Sequence, residues 1–248
     1  WGSEAMLGFP NARWVIGKPE IWQIAGYYLL LWIAVLCMER WMKRGKKGRA
    51  AVLGGFSLVC AIVLLMFPKW KWGQTEVVML NVGQGDCFFV RGPLGGTYLI
   101  DGGSSTVSSV GRYRIEAFLK SQGVGTLDYV WVTHGDTDHV NGIEELLKRQ
   151  QFGVKIGHLV MPPETYWDKQ LEQLAVTAHR EEIPVLTMGQ GQRFEEGEME
   201  VVCLWPEREN DDSMEGNAAS VVLSLTFGAF DMLFTGDVEK EGEEELAA

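Results

Sequence analysis

Two long uninterrupted apolar stretches, followed by many short broken ones, set the pattern of this chain. Residues 21–38 and 51–68 each run for eighteen positions without a charged side chain. As helices, at about 1.5 Å per residue, each reaches roughly 27 Å, close to the ~30 Å of a bilayer's hydrocarbon. Most of Trp22, Trp32, Trp41, Trp70 and Trp72 flank these runs, as interfacial aromatics do. The runs therefore read as two transmembrane helices rather than as a hairpin buried in a soluble core. A cleaved leader is not expected, given the second span and the missing cleavage pattern. The expected division is a membrane segment over residues 1–72 and a second domain over 73–248.

From Thr75 the period shortens to that of strands broken by glycine. Residues 76–80 and 87–90 predict paired strands joined through Asn81-Val82-Gly83-Gln84-Gly85-Asp86, and 97–100 a third that ends in Asp101-Gly102-Gly103. Residues 115–122 predict a helix stopped by Gly123 and Gly125. A strand at 127–132 and a helix from Val140 to Gln150 follow, then a strand at 156–161, a helix at 169–182 and a strand at 185–188. Strands at 199–204, 220–227 and 230–234 complete the pattern, and the last runs into Thr235-Gly236-Asp237. A polar loop is expected from Asn210 to Asn217. Helices alternate with strands, but hairpins interrupt them, so the expected fold is a mixed α/β sheet rather than a doubly wound parallel one.

Charge divides the chain at the same place. Residues 1–72 hold ten Lys/Arg against three Glu, a net +7, and residues 73–248 hold twelve against thirty acids, a net −18. The turn between the spans carries Arg40, Lys43, Arg44, Lys46, Lys47 and Arg49 against Glu39. That bias places the turn in the cytoplasm and the rest of the chain on the outer face of the cell membrane. Four scattered cysteines show neither metal nor redox spacing and read as small buried hydrophobes.

The candidate chemistry is concentrated in Thr133-His134-Gly135-Asp136-Thr137-Asp138-His139. Two imidazoles and two carboxylates within six residues, at the end of a strand, form a ligand set for a divalent metal. One aspartate serving as a helix cap would account for only part of it. Asp101 and Asp237 also end apolar strands at glycine turns, so three strand ends can converge on one cleft.

These residues resemble the metallo-β-lactamase superfamily, whose αββα sandwich binds one or two metals where its strands end. The family signature H-x-H-x-D-H reads here His134 to His139, with Asp136 in place of the second His. Asp237 matches the bridging aspartate, and Asp101 the early aspartate that supports the site. Together with Asn81–Asp86, Asn217-Ala218-Ala219-Ser220 and the preceding spans, the motif resembles the ComEC-type competence proteins, polytopic channels for DNA uptake. The resemblance implies a nuclease that removes one strand while the other enters the cell, working with DNA and with other competence-machinery proteins. It implies His134, Asp136, Asp138, His139 and Asp237 as metal ligands, Asp138 also as the proton acceptor, and Asp86, Asp101 and Ser220 around them. Asp136 makes the site more oxygen-rich, which favours manganese or magnesium while leaving zinc open.

The sequence departs from the pattern in ways that carry expectations of their own. His158 and His179 read as structural, which leaves Asn217 as a weak candidate for the usual third ligand. A closing His would fall past Ala248, and both ends look cut, so a fragment that binds metal poorly and cleaves little is expected. The net −18 opposes phosphate binding. A small-molecule metallohydrolase and a silent scaffold therefore stay open beside the nuclease.

Overall fold

The computed structural model describes residues 15–66, 73–207, 216–239 and 241–246. Trp70, Trp72, the last two residues of the second predicted span and most of the predicted polar loop (residues 210–215) lie outside these residues. The chain divides into two compact units, one built on the apolar helices and one on the sheets.

In the helical unit, α1 (Ile21–Lys43) and α2 (Lys47–Met66) form an antiparallel pair. Gln23 Nε2 donates to the Leu64 carbonyl at 2.9 Å, and Ser57 Oγ to the Leu30 carbonyl at 3.2 Å. The buried seam is made of small or polar residues, Gln23, Ala34, Ala50, Ser57 and Ala61, which let two backbones approach and bond without a water-driven core. Only 11 % and 17 % of the two apolar windows are buried. The core helix of a soluble protein would hide most of its window, and these helices are long and apolar enough to cross a membrane. Helix α1 runs five residues past the predicted end, because Glu39 and Lys43 bridge one turn of it.

The sheet unit is a sandwich. Its first sheet has the order β1 (Glu76–Met79), β2 (Phe88–Arg91), β3 (Thr97–Ile100), β4 (Thr126–Trp131), β5 (Lys155–Met161), β6 (Val185–Thr187). The first two pairings are antiparallel and the remaining three parallel. The second sheet is antiparallel, in the order β10 (Phe230–Phe234), β9 (Val222–Phe227), β8 (Met199–Trp205), β7 (Arg193–Glu196). Alternation along the strands sends side chains to opposite faces. Phe89, Leu99, Val130 and Leu159 face a core shared with helices α3 (Glu116–Ser121), α4 (Thr137–Leu147) and α5 (Lys169–Arg180). Val90, Tyr98, Ile100, Trp131 and Val160 face Met199, Val201, Cys203, Leu223 and Leu225 of the second sheet. A short helix, α6 (Glu241–Leu246), follows β10.

Three elements differ from the sequence pattern. Strand β7 is unpredicted, since in Arg193-Phe194-Glu195-Glu196 only Phe194 packs against the inter-sheet core. A π-helical turn, Gly111–Ile115, leads into α3. Helix α4 starts at Thr137 rather than Val140, because the extended Asp136 offers its carbonyl to the His139 and Val140 amides at 2.9 and 3.1 Å. Asp138 and His139 thus lie in the first helical turn, where a carboxylate suits the dipole.

Candidate metal centre

Asp101 organises the site. It ends β3 in a left-handed conformation, φ 53°, tolerable for Asp, and only 1 % of it is exposed. Its Oδ1 accepts the Thr133 N–H at 2.8 Å, and its Oδ2 accepts the Thr133 hydroxyl at 2.7 Å. His139 Nδ1 lies 2.9 Å from the same Oδ2, and His134 Nδ1 lies 3.0 Å from Thr133 Oγ1. Since the Thr133 hydroxyl gives its proton to Asp101, it can only accept from His134 Nδ1–H. Asp101, acceptor only, takes the His139 Nδ1–H. The network therefore assigns one tautomer to both neutral rings, protonated on Nδ1 with a lone pair on Nε2.

Those lone pairs converge on Asp237. His139 Nε2 is 3.4 Å from Asp237 Oδ1 and His134 Nε2 is 4.0 Å from Oδ2, and ligand atoms of all three residues lie within 4.8 Å of one another. Asp237 arrives through Gly236, whose φ is 51°. A Cβ there would meet Thr133 Cβ and Oγ1 at 2.9 Å, so only glycine lets the end of β10 lie on Thr133. The Val221 amide also donates to the Thr133 carbonyl, at 2.9 Å, and both sheets meet at this one residue.

His134 Nε2 is buried and has no hydrogen-bond partner among the described residues. A buried nitrogen lone pair without a donor is costly, and a divalent cation between two imidazoles and a carboxylate satisfies it. Burial, and then the charge of His139, push His134 downward and keep it neutral. Burial also disfavours a charged His139, but the hydrogen bond to Asp101 and the charges of Asp101, Asp237 and Asp86 outweigh it and lift the ring to about 9. Burial, with Asp101 and Asp237 nearby, raises the half-buried Asp86 against the opposing pull of the two histidines.

The remaining sequence candidates occupy the margins. Asp136 is exposed, with Oδ2 3.7 Å from His134 Nε2. Asp138 is half-buried and its carboxylate has no hydrogen bond among the described residues; its carbonyl accepts from the Asp86 amide at 3.3 Å. Asn217, on the 3-10 turn Gly216–Ala219, accepts the Ser220 amide and has no hydrogen bond to the trio. Ser220 is fully buried, and its hydroxyl is unpartnered among the described residues. His158 stacks on Tyr129 at 4.7 Å, away from the trio.

Sequence reasoning missed two residues. Thr133 relays between His134 and Asp101, and its hydroxyl directly before the motif was the available signal. Asp168 gave none: it lies thirty-odd residues on, yet its carboxylate packs where a Cβ of residue 135 would be, 2.2 Å away.

The chain matches the metallo-beta-lactamase superfamily over residues 80–248, and it belongs to that superfamily. Along 230 residues it is 28% identical to ComE operon protein 3 of Bacillus subtilis (strain 168), covering 88% of this chain and 29% of that protein. The chain thus spans less than a third of the curated relative it matches. Among solved structures it resembles the metallo-beta-lactamase fold protein YhfI from Bacillus subtilis, at 16% identity and TM-score 0.43, over 66% of this chain and 58% of that one. It also resembles CmlA, a diiron beta-hydroxylase from Streptomyces venezuelae, at 19% identity and TM-score 0.41, over 75% and 34%.

Proposed function

We propose that this chain is part of a multi-pass DNA-uptake protein of the plasma membrane, whose sheet unit, on the outer face, hydrolyses phosphodiester bonds of one DNA strand. The observation that carries the reading is the convergence of two Nε2 lone pairs, one of them buried and unpartnered, on the Asp237 carboxylate. The similarity to ComE operon protein 3 and the two apolar helices support the uptake setting.

His134, His139 and Asp237 would hold a manganese or zinc ion, with Asp136 adding an oxygen from the solvent side. Such an ion supplies Lewis acidity for a phosphoryl oxygen and makes water easier to deprotonate. Asp101 and Thr133 keep both imidazoles in the ligating tautomer. Asp138, unbonded and half-buried, receives the proton of the attacking water. Asp86 lies within the same field of charges, while Ser220 and Asn217 line the approach of β9. The strand would be delivered by other parts of the uptake machinery.

The test is cleavage of an end-labelled single strand by the detergent-solubilised protein carrying this chain, with manganese, zinc or chelator. Cleavage should need metal and fall at least 100-fold in His134→Ala and Asp237→Ala, which each lose a ligand. Cleavage that survives chelation or both substitutions, or metal-dependent hydrolysis confined to small esters, would overturn the reading.

A further inference from the structure

We infer that Arg112, Tyr113 and Arg114 form a contact point for the DNA strand on the turn packed against the helix that carries His139, an assignment that rests on the nuclease reading and names where its substrate is gripped. The three are consecutive and exposed on the π-helical turn, with Tyr113 63 % accessible. The Arg112 guanidinium stands 5.0 Å from the centroid of the Tyr113 ring. Three of the sheet unit's other cations are tied to acids, Arg149 to Glu116, Lys148 to Glu144 and Arg193 to Glu200, and Lys155, Lys169 and Arg180 stand singly along the chain rather than flanking an exposed aromatic ring. Arg112 and Arg114 have no acidic partner for their guanidinium groups among the described residues.

The turn is fixed to the same two segments that carry the site. Gly111 packs against the Gly142 carbonyl, which a Cβ would meet at 2.3 Å, and the Arg112 amide donates to Glu145 Oε2 at 3.0 Å. Both contacts are on α4, whose first turn holds Asp138 and His139. Arg114 Nη1 donates to the Asn81 carbonyl at 3.3 Å, and that loop ends at Asp86. The extra residue of a π turn bulges side chains outward, and such turns recur at functional sites.

The chemistry suits a single strand. Guanidinium groups pair with phosphate, and a tyrosine face stacks any base, so grip does not depend on sequence. Around it the domain is strongly acidic, which repels phosphates elsewhere and favours a spot where two guanidinium groups flank an exposed ring.

Binding is measured by anisotropy of a fluorescein-labelled oligothymidylate, in chelator so that nothing is cleaved, on the detergent-solubilised protein carrying this chain. Tyr113→Ala should weaken binding roughly tenfold, whereas Tyr113→Trp should keep the affinity and lose indole fluorescence as the strand binds. The double variant Arg112→Gln/Arg114→Gln should flatten the slope of log affinity against log salt by about 1.4, at ~0.7 per phosphate of a single strand. An abasic strand should bind the parent protein and Tyr113→Ala alike. Matched thermal melts establish that the variants fold. Unchanged binding by Tyr113→Ala, an unchanged salt slope, or an abasic strand held as tightly as oligothymidylate would each overturn the assignment. Metal-dependent cleavage without measurable strand binding would also overturn it while leaving the nuclease reading intact. Binding that requires these residues, with no cleavage under any metal, would keep the assignment and sink the nuclease reading.

Discussion

At the scale of single residues, the site depends on where one proton sits. Asp101 has two oxygens and three donors, the Thr133 amide, the Thr133 hydroxyl and His139 Nδ1. In Asp101→Asn one oxygen can still take the Thr133 amide. The NH2 then faces the Thr133 hydroxyl and His139 Nδ1, where an acceptor is needed. His139 escapes the donor clash only by moving its proton to Nε2, which removes the lone pair aimed at Asp237. Size and tolerance of positive φ are both kept, so the fold should survive. Metal affinity should fall about 10- to 100-fold, read by calorimetric titration with manganese and zinc. Imidazole nitrogen shifts should report the exchanged tautomer, and an unchanged affinity with Nδ1 still protonated would contradict the relay. The supporting role of Asp101 was expected from the resemblance, but the path of its hydrogen bonds was not. The contiguous His and Asp residues announced a metal, but the Thr133–Asp101 relay exists only once β3 and β4 lie side by side.

Between elements, two contacts do what local sequence does not announce. Asp168 caps α5 through Leu171, at 2.7 Å, and its carboxylate fills the space above Gly135. Committed to the cap, it cannot swing aside, so Gly135→Ala should cost about 1–3 kcal/mol by overpacking. Asp168→Ala removes the cap for about 1 kcal/mol, and the double variant should cost less than the two together, as a double-mutant cycle on denaturant unfolding would show. Strict additivity would mean that the two residues do not press on each other. The second contact joins the sheets. Glu196 at the end of β7 accepts the Leu94 and Gly96 amides at 2.9 and 3.0 Å and the Tyr98 hydroxyl at 2.6 Å. Burial and this carboxylate push the Tyr98 phenol upward, so it stays a donor. Glu196→Ala should cost about 2–3 kcal/mol, since it leaves three donors to rearrange; a loss below about 0.5 kcal/mol would mean that water replaces the clamp. The strands rich in inward apolar residues, and both long helices, were legible because burial alone specifies them. Strand β7 was not, because it is defined by Glu196 reaching back to a turn about a hundred residues earlier, and no hydrophobic period records such a partner.

For the whole molecule, charge asymmetry carries the prediction that the turn between α1 and α2 faces the cytoplasm and the sheet unit faces outward. The turn and its flanks gather six cations against Glu39, and Lys43 is the one paired with that acid. Five cations with no acid partner among the described residues, near the ends of two apolar helices, are the arrangement that holds a loop on the cytoplasmic side. The strongly acidic sheet unit adds little to the choice, since acids weigh lightly in orientation. Native cysteines leave room for a clean test. Cys87 and Cys203 are buried, and Cys37 and Cys60 lie within the helices that span the membrane in this reading. A membrane-impermeant maleimide applied to intact cells should therefore label Glu172→Cys, at an exposed position of α5. It should reach Lys46→Cys, exposed in the basic turn, only after lysis. Exchanging Arg44, Lys46, Lys47 and Arg49 for glutamine should blur the distinction, because the remaining pair of cations no longer outweighs the competing orientation. Labelling of Lys46→Cys in intact cells with Glu172→Cys protected would place the metal centre on the cytoplasmic side, where it would meet only DNA that had already crossed, and the uptake reading would fail with it.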